Sequence, residues 1–487
     1  MRTRVASLAL LVGVLACSDS PMAPAATEVE LAPGDAASRG RDRVARVWSA
    51  ADAGPGSLRA AMDAANGDPR ISTIEIEKRV RRIALIGPIT YTGEQSLRID
   101  GNGAIVDGAG LPEGANGLTL NAGPRTEIDD LAVIDAPGSG IAILVPVTAT
   151  GVRHISLDEV RVEGNVEHGV LINDQADYLT DPDATTNTGS EASLRVDISR
   201  STFRANGFGF IDRDGLRVNE GGAGDLVASI SATKVIGNGG DGVELDERGD
   251  GKAEFSVLFT DLLENGGFTA EDYDDGIDVD EADAGDIIGR FWFVRANDNF
   301  EQGVDLNENG AGDMKVTMFQ VEGSRNAEEG IEFEEDDDVA GGGDIIATLV
   351  AVTTNGNGAL DGDAGLKLRE KGDGNLDARL NGIKASDNVI RGVELREDAA
   401  GSLMGSVTNV TTSRNGGEGL RFDENGDGDL VGEVSIATAV DNAEAGIHAE
   451  QQAPGAGALT VKRLSASGNP DGDVEANPAQ VTVTLLP

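Results

Sequence analysis

From about residue 117 onward, apolar and polar residues alternate in short bursts, each opened by a glycine. Gly242-Val243-Glu244-Leu245-Asp246-Glu247 is typical, with apolar side chains one and three places after the glycine and polar ones between. That period of two predicts a strand with one buried face. A turn follows, Arg248-Gly249-Asp250-Gly251, at which glycine is expected to supply positive φ. Two more extended stretches, around 253–259 and 261–263, precede Asn265 and the next corner. The opening glycines are Gly215, Gly242, Gly276, Gly303, Gly330, Gly365, Gly392, Gly419 and Gly446, at steps of 27, 34, 27, 27, 35, 27, 27 and 27. Looser copies start at Gly117, Gly140 and Gly169. A unit with three strands and three corners in 27 residues has no room for a helix and cannot bury its apolar face alone. Each strand must therefore pair in parallel with its equivalent one coil later.

Two polar columns keep the same register. Asn165, Asn238, Asn299, Asn326, Asn388, Asn415 and Asn442 stand four residues before the glycine. Asn206, Asn265 and Asn355 are expected to take that place ahead of lengthened corners, and Asn469 after the last full coil. Stacked amides can hydrogen-bond from coil to coil. Glu220, Glu247, Glu281, Glu308, Glu335, Glu370, Glu397 and Glu424 lie five residues after the glycine, on the inward side by parity. Stacked carboxylates repel, so N–H groups of the following turn are expected to cap them. This pattern resembles the right-handed parallel β-helix superfamily, which includes pectate lyases, polygalacturonases and many surface proteins. Gly54-Pro55-Gly56-Ser57-Leu58-Arg59-Ala60-Ala61-Met62 resembles the "SLR" motif at the start of bacterial surface β-helices. Leu58, Ala61, Met62 and Ala65 recur at helical spacing and predict a short capping helix. The expected fold is all-β, a right-handed parallel β-helix of about a dozen coils, and the resemblance implies fold far more than function.

The amino terminus reads differently. Arg2 and Arg4 precede an apolar run from Val5 to Ala16, and Val14-Leu15-Ala16-Cys17 resembles the lipobox of bacterial lipoproteins. Cys17 is the single cysteine and the expected lipidation site. The division expected is a signal peptide over 1–16, a Pro- and Ala-rich tether over 17–45, a cap with irregular coils over 46–116, and repeats over 117–487.

Charge narrows the partners. Asp and Glu number 85 against 39 Lys and Arg, a formal net charge of -46. Such a chain repels nucleic acid, so a membrane would be met through the lipid anchor only, and cations are attracted. Asp423, Asn425, Asp427 and Asp429 repeat the oxygen spacing of the first half of an EF-hand loop, making calcium the expected ion there. Val434 stands where the closing Glu would be. His154, His168 and His448 are too scattered for zinc. Outward on the strand after each glycine, Glu244, Asp246, Asp278, Asp280, Asp305, Glu332 and Glu334 form an acidic strip that reads as a solvated face. Lys367, Arg369, Arg396 and Arg421 follow it. Asp278, Asp280 and Asp305 are the candidate catalytic acids. Corners 208–213, 268–274 and 356–363 are lengthened at one place in the coil, and a further insertion spans about 175–190.

The favoured reading is a cell-envelope lipoprotein, exported to the outer membrane or cell surface. It would serve as a calcium-stabilised scaffold or adhesion rod that contacts a polysaccharide or another surface polymer, without turnover. The rival is a polysaccharide lyase or glycoside hydrolase working on the outer face. Replacing the anchor residue, Cys17→Ala, is expected to move the protein from the membrane to the soluble fraction on fractionation.

Overall fold

Every strand pairing found is parallel, and each joins a strand to its counterpart one coil away. The computed structural model describes residues 43–487 apart from 177, 179–187, 272, 336–341, 361, 363, 453 and 478. The expected export signal, the expected lipidation site Cys17 and most of the expected tether lie outside the described residues. The tether's last residues do not, since Arg43–Val47 already forms a strand paired with Ile71–Ile76. The chain is a right-handed parallel β-helix, the hand that parallel crossovers take. It makes about 16 turns rather than a dozen. The surplus lies at both ends, early where Thr90–Tyr91 and Leu97–Asp107 stack on later coils without the sequence period, and late where Val474–Ala476 and Val481–Leu486 add a further coil. Two continuous sheets result, one of 25 strands and one of 14. The strands after the repeat glycines build the 14-strand face.

The single helix among the described residues, Leu58–Gly67, closes the first coil. Ser57 caps it by accepting the Ala60 N–H, and Leu58, Ala61, Met62 and Ala65 are its buried side, as their spacing predicts. Behind it, apolar columns run along the rod. Leu216, Val243, Ile277, Val304, Ile331, Leu366, Val393, Leu420 and Ile447 are stacked in register and essentially unexposed. The repeat glycine is demanded by close approach, because a Cβ at Gly242 would lie 2.4 Å from Gly276 O and 2.7 Å from Asn265 Nδ2. The turn glycines obey the same cause. Gly249 and Gly251 do not have positive φ, contrary to expectation, but a Cβ on Gly251 would fall 1.8 Å from Gly224 O.

The asparagine column is a continuous amide ladder. Asn326 Nδ2 donates to Asn357 Oδ1 (3.4 Å) and to Ala296 O (3.0 Å), while its own Oδ1 accepts from Asn299 Nδ2 and N–H (both 3.0 Å). All four hydrogen-bonding places of the buried amide are filled. One rung differs from expectation, since Asn357 and not Asn355 continues the column. The step from Asn326 to Asn357 is 31 residues, so part of that coil's insertion enters after Glu335 and the rest after Asn357. Asn355 lies in a neighbouring column and accepts the Ser386 N–H (2.9 Å).

The glutamate column is buried along its length, with 0% exposure at each of the eight residues. Turn N–H groups cap it as expected: Gly285 donates to Glu281 (2.9 Å), Gly310 to Glu308 (3.0 Å), Gly372 to Glu370 (2.7 Å) and Gly401 to Glu397 (3.1 Å). Capping satisfies one oxygen. The other oxygens of Glu281, Glu308, Glu370 and Glu397 are buried with no N–H or O–H donor, facing the next glutamate. A proton between neighbours turns that clash into a hydrogen bond. Burial and the adjacent carboxylates push Glu247 up to about 10, Glu308 to about 9 and Glu370 to about 11. The column ends in Gln451, whose Oε1 accepts the Leu430 N–H (2.8 Å) and whose Nε2 is a permanent donor.

Two outcomes follow from these ladders. Asn326→Leu strands the Asn299 amide and the Ala296 carbonyl at about 1–3 kcal/mol per buried group, and should lower the melting temperature by several degrees. For the glutamates, folded values lie above the ordinary 4.5, so the folded state binds more protons than the unfolded chain. Their stabilisation is complete below about pH 4.5 and is lost as pH climbs through 8–11. Melting temperature should fall across that alkaline window, and Glu370→Gln should flatten the fall.

Candidate functional site

Three outward columns line the 14-strand face. The residue before each repeat glycine gives His168, Asp214, Asp241, Asp275, Gln302 and Glu329. The second residue after it gives Arg217, Glu244, Asp278, Asp305, Glu332 and Lys367, paired in that order by the strand register. The fourth gives Asn219, Asp246, Asp280, Asn307, Glu334 and Arg369. The face is not simply solvated. Glu244, Asp246, Glu332 and Asp423 are each less than a tenth exposed, because the side chains pack on one another across the columns.

Ion pairs account for both ends of the strip. Arg217 is buried beneath the ring of Tyr178, 4.8 Å from its centroid. It pairs with Glu244, with Asp246 (2.9 Å) and with Asp212 (2.7 Å). His168 Nδ1 lies against Asp214, 3.1 Å from its N–H and 3.2 Å from its carboxylate, and His168 Nε2 shares a hydrogen bond with the Tyr178 hydroxyl (2.9 Å). This buried group ties Tyr178, from the 175–190 insertion, onto the coil. Toward the other end Lys367 holds Glu332 (2.6 Å), Arg369 holds Asp398 (2.8 Å), and Arg421 holds Glu418 (2.5 Å) and Asp423.

Between those ends, among the described residues, no ion pair reaches Asp241, Asp275, Asp278, Asp280 or Asp305, although Arg248 lies near Asp280. Carboxylate oxygens of Asp275, Asp278 and Asp305 lie within 4.8 Å of one another. Two other acidic groups are as tight, Asp212–Asp214–Asp241–Glu244 and Asp423–His448–Glu450, but Arg217 and Arg421 reach into them. Asp278 Oδ1 and Asp305 Oδ1 are buried without a hydrogen-bond partner. Asp241 Oδ1 accepts the Asp275 N–H and Asp275 Oδ1 accepts the Gln302 N–H, each at 2.5 Å, so the backbone fixes the column. Burial, and then the neighbouring carboxylates, push Asp241, Asp275, Asp278 and Asp305 well above the ordinary carboxylate range. Asp280 rises only to about 6, because Arg248 and the Asn307 amide offset burial and Asp246. Two acids on one strand thus have environments that separate their protonation.

The structure brings the candidates Asp278, Asp280 and Asp305 together on one patch. Asp241, Asp275 and Arg217 were not singled out by the sequence, although Asp-Gly recurs at 214–215, 241–242 and 275–276. The calcium candidates have separate engagements. Asp423 pairs with Arg421, Asn425 Nδ2 donates to Asp398 (2.8 Å), Asp427 is exposed, and Asp429 accepts the Ala456 N–H (2.9 Å). Clusters able to hold a metal ion do exist, and the donor set of Asp275, Asp278 and Asp305, with buried oxygens lacking a partner, fits a hard cation such as calcium.

No protein-family model matches this chain, and no curated protein does. Among solved structures, the periplasmic alginate epimerase AlgG is 10% identical with a TM-score of 0.36, covering 80% of this chain and 77% of its own. The catalytic domain of a GH87 alpha-1,3-glucanase is 13% identical with a TM-score of 0.34, covering 90% and 68%. Pectate lyase Pel9A is 16% identical with a TM-score of 0.28, covering 91% and 79%.

If the Arg217 group neutralises its end of the strip, Arg217→Met should leave Glu244 buried without a counter-charge and Asp246 with Arg248 alone, at 3.8 Å. Breaking a buried pair in this way costs about 3–5 kcal/mol, read as a lowered denaturation midpoint at neutral pH.

Proposed function

We propose that this protein hydrolyses a neutral polysaccharide laid across the 14-strand face, with Asp278 as general acid and Asp280 as general base. The observation that carries the reading is the group of Asp275, Asp278 and Asp305, whose carboxylate oxygens lie within 4.8 Å of one another with no ion pair among the described residues, and with Asp280 beside it on the same strand as Asp278. Crowded acids without an ion pair weaken a fold, and strongly perturbed acids grouped on an outward face are the mark of a functional site. For this reason the enzyme reading is preferred to the scaffold that the repeat pattern first suggests.

In the proposed reaction the Asp278 carboxyl gives its proton to the glycosidic oxygen as the C–O bond breaks. A water attacks the anomeric carbon and passes a proton to Asp280, and exchange with solvent restores both groups. Asp275 and Asp305 keep Asp278 protonated at neutral pH, while Asp280, near 6, is ionised. Asp278 and Asp280 stand on one face of one strand, their backbones about 6.6 Å apart, and an acid and a base with a water between them is the arrangement of inverting hydrolysis. An anionic polymer would be repelled. The export signature at Val14–Cys17 suits an enzyme anchored in the cell envelope.

The same geometry favours one other reading, in which Asp275, Asp278 and Asp305 hold calcium and so bind acidic sugars. Calcium would strip the proton from Asp278 and inhibit hydrolysis. A screen of neutral glycans, pectate and alginate, scored for reducing ends and unsaturated products with calcium or chelator, separates the two. The expected result is reducing ends from a neutral glycan and inhibition by calcium. Asp278→Asn and Asp280→Asn should each lower kcat by about 10²–10⁴-fold. Activity should rise with pH through about 6 as Asp280 ionises, and fall at higher pH as Asp278 loses its proton. Calcium-dependent unsaturated products, or full activity in both variants, would overturn the hydrolase.

A further inference from the structure

Aromatic residues are 3% of this chain, yet five of them gather at one corner beside the acidic patch. Phe208 and Phe210 lie on the corner that ends in Asp214, Phe268 and Tyr273 on the one that ends in Asp275, and Phe300 on the one that ends in Gln302. Phe208, Phe210 and Phe300 are 50%, 56% and 41% exposed. The rings meet across coils. Phe208 and Phe268 form an edge-to-face pair with centroids 6.4 Å apart, and Tyr273 stacks on Phe300 at 5.9 Å. The coil between has Gly239-Gly240, and the Phe268 N–H donates to Gly239 O (3.0 Å), folding the long corner back over it. Phe300 rests on bare backbone, since a Cβ at Gly267 would lie 2.6 Å from its ring. The corner backbones are fixed by the asparagine ladder, so these rings stand on rigid ground.

We infer that Phe208, Phe268, Tyr273 and Phe300 form a stacking ridge for the pyranose rings of a neutral glycan that runs along the rod axis into the acidic patch. The inference rests on the polysaccharide reading above and adds the surface that holds the chain. An aromatic face suits the apolar C–H side of an uncharged sugar ring, and the neighbouring acids can accept its hydroxyls. Continuity argues for this occupant, because each aromatic corner runs directly into the acid column. Three coil steps span about 14 Å, room for more than one sugar.

The test is electrophoresis in gels containing soluble neutral glucans or mannans, with pectate as the anionic control, combined with kinetics. The parent and Asp278→Asn should be retarded by a neutral glycan. A Phe208→Ala, Phe300→Ala double variant should bind at least tenfold more weakly and show KM raised tenfold with kcat unchanged. Phe300→Trp should keep the parent's retardation, and melting curves check that each variant is folded. Equal retardation of parent and double variant, or no retardation of the parent by any neutral glycan, overturns the ridge. Phe-dependent retardation without release of reducing ends upholds the ridge and removes the hydrolase. Release of reducing ends with retardation unchanged does the reverse.

Discussion

In-register stacking is the constraint behind every other feature of this molecule. Each side chain sits about 4.8 Å from its own counterpart in the coils above and below. A column is therefore tolerable only if its residue is compatible with itself. Valine, isoleucine and leucine meet that condition by packing. Asparagine meets it because an amide is both donor and acceptor, so Asn326 fits between Asn299 and Asn357. Glutamate meets it only with a proton shared between neighbours, and the buried oxygens of Glu281 and Glu308 show where that proton belongs.

The outward columns ease the same problem with cations at both ends of the acidic strip. Arg217 precedes Glu244 and Asp246, while Lys367 and Arg369 follow Glu332 and Glu334. Among the described residues no ion pair reaches Asp278, Asp280 or Asp305, next to the corner of Phe268 and Tyr273. Departures from a fold's regular pairing are where functional sites are expected.

The architecture was legible because self-compatibility writes a period of 27 into the chain. The helix from Leu58, the Asn column and the inward Glu column could all be placed from spacing alone. Asn357 escaped because a 35-residue step does not reveal which of two corners carries the insertion. The candidate site was half legible. Asp278, Asp280 and Asp305 were in view, but strand parity separates inward from outward and says nothing of burial among crowded outward acids. Nor does it show that Arg217 is committed to Glu244 while Asp278 has no such partner. Tyr178 and His168 meet only because an insertion folds back, which no local pattern records.

The glutamate column also alters how the protein meets an electric field. The formal charge of -46 counts every carboxylate as ionised, and the sequence pI near 4.2 lets each titrate in its ordinary range. Glu247, Glu308 and Glu370 keep protons far above that range once folded, and Asp241, Asp275, Asp278 and Asp305 join them. The native rod is thus less anionic than its own unfolded chain. Unfolding releases protons into neutral buffer, and the enthalpy of that release depends on the buffer chosen to receive them.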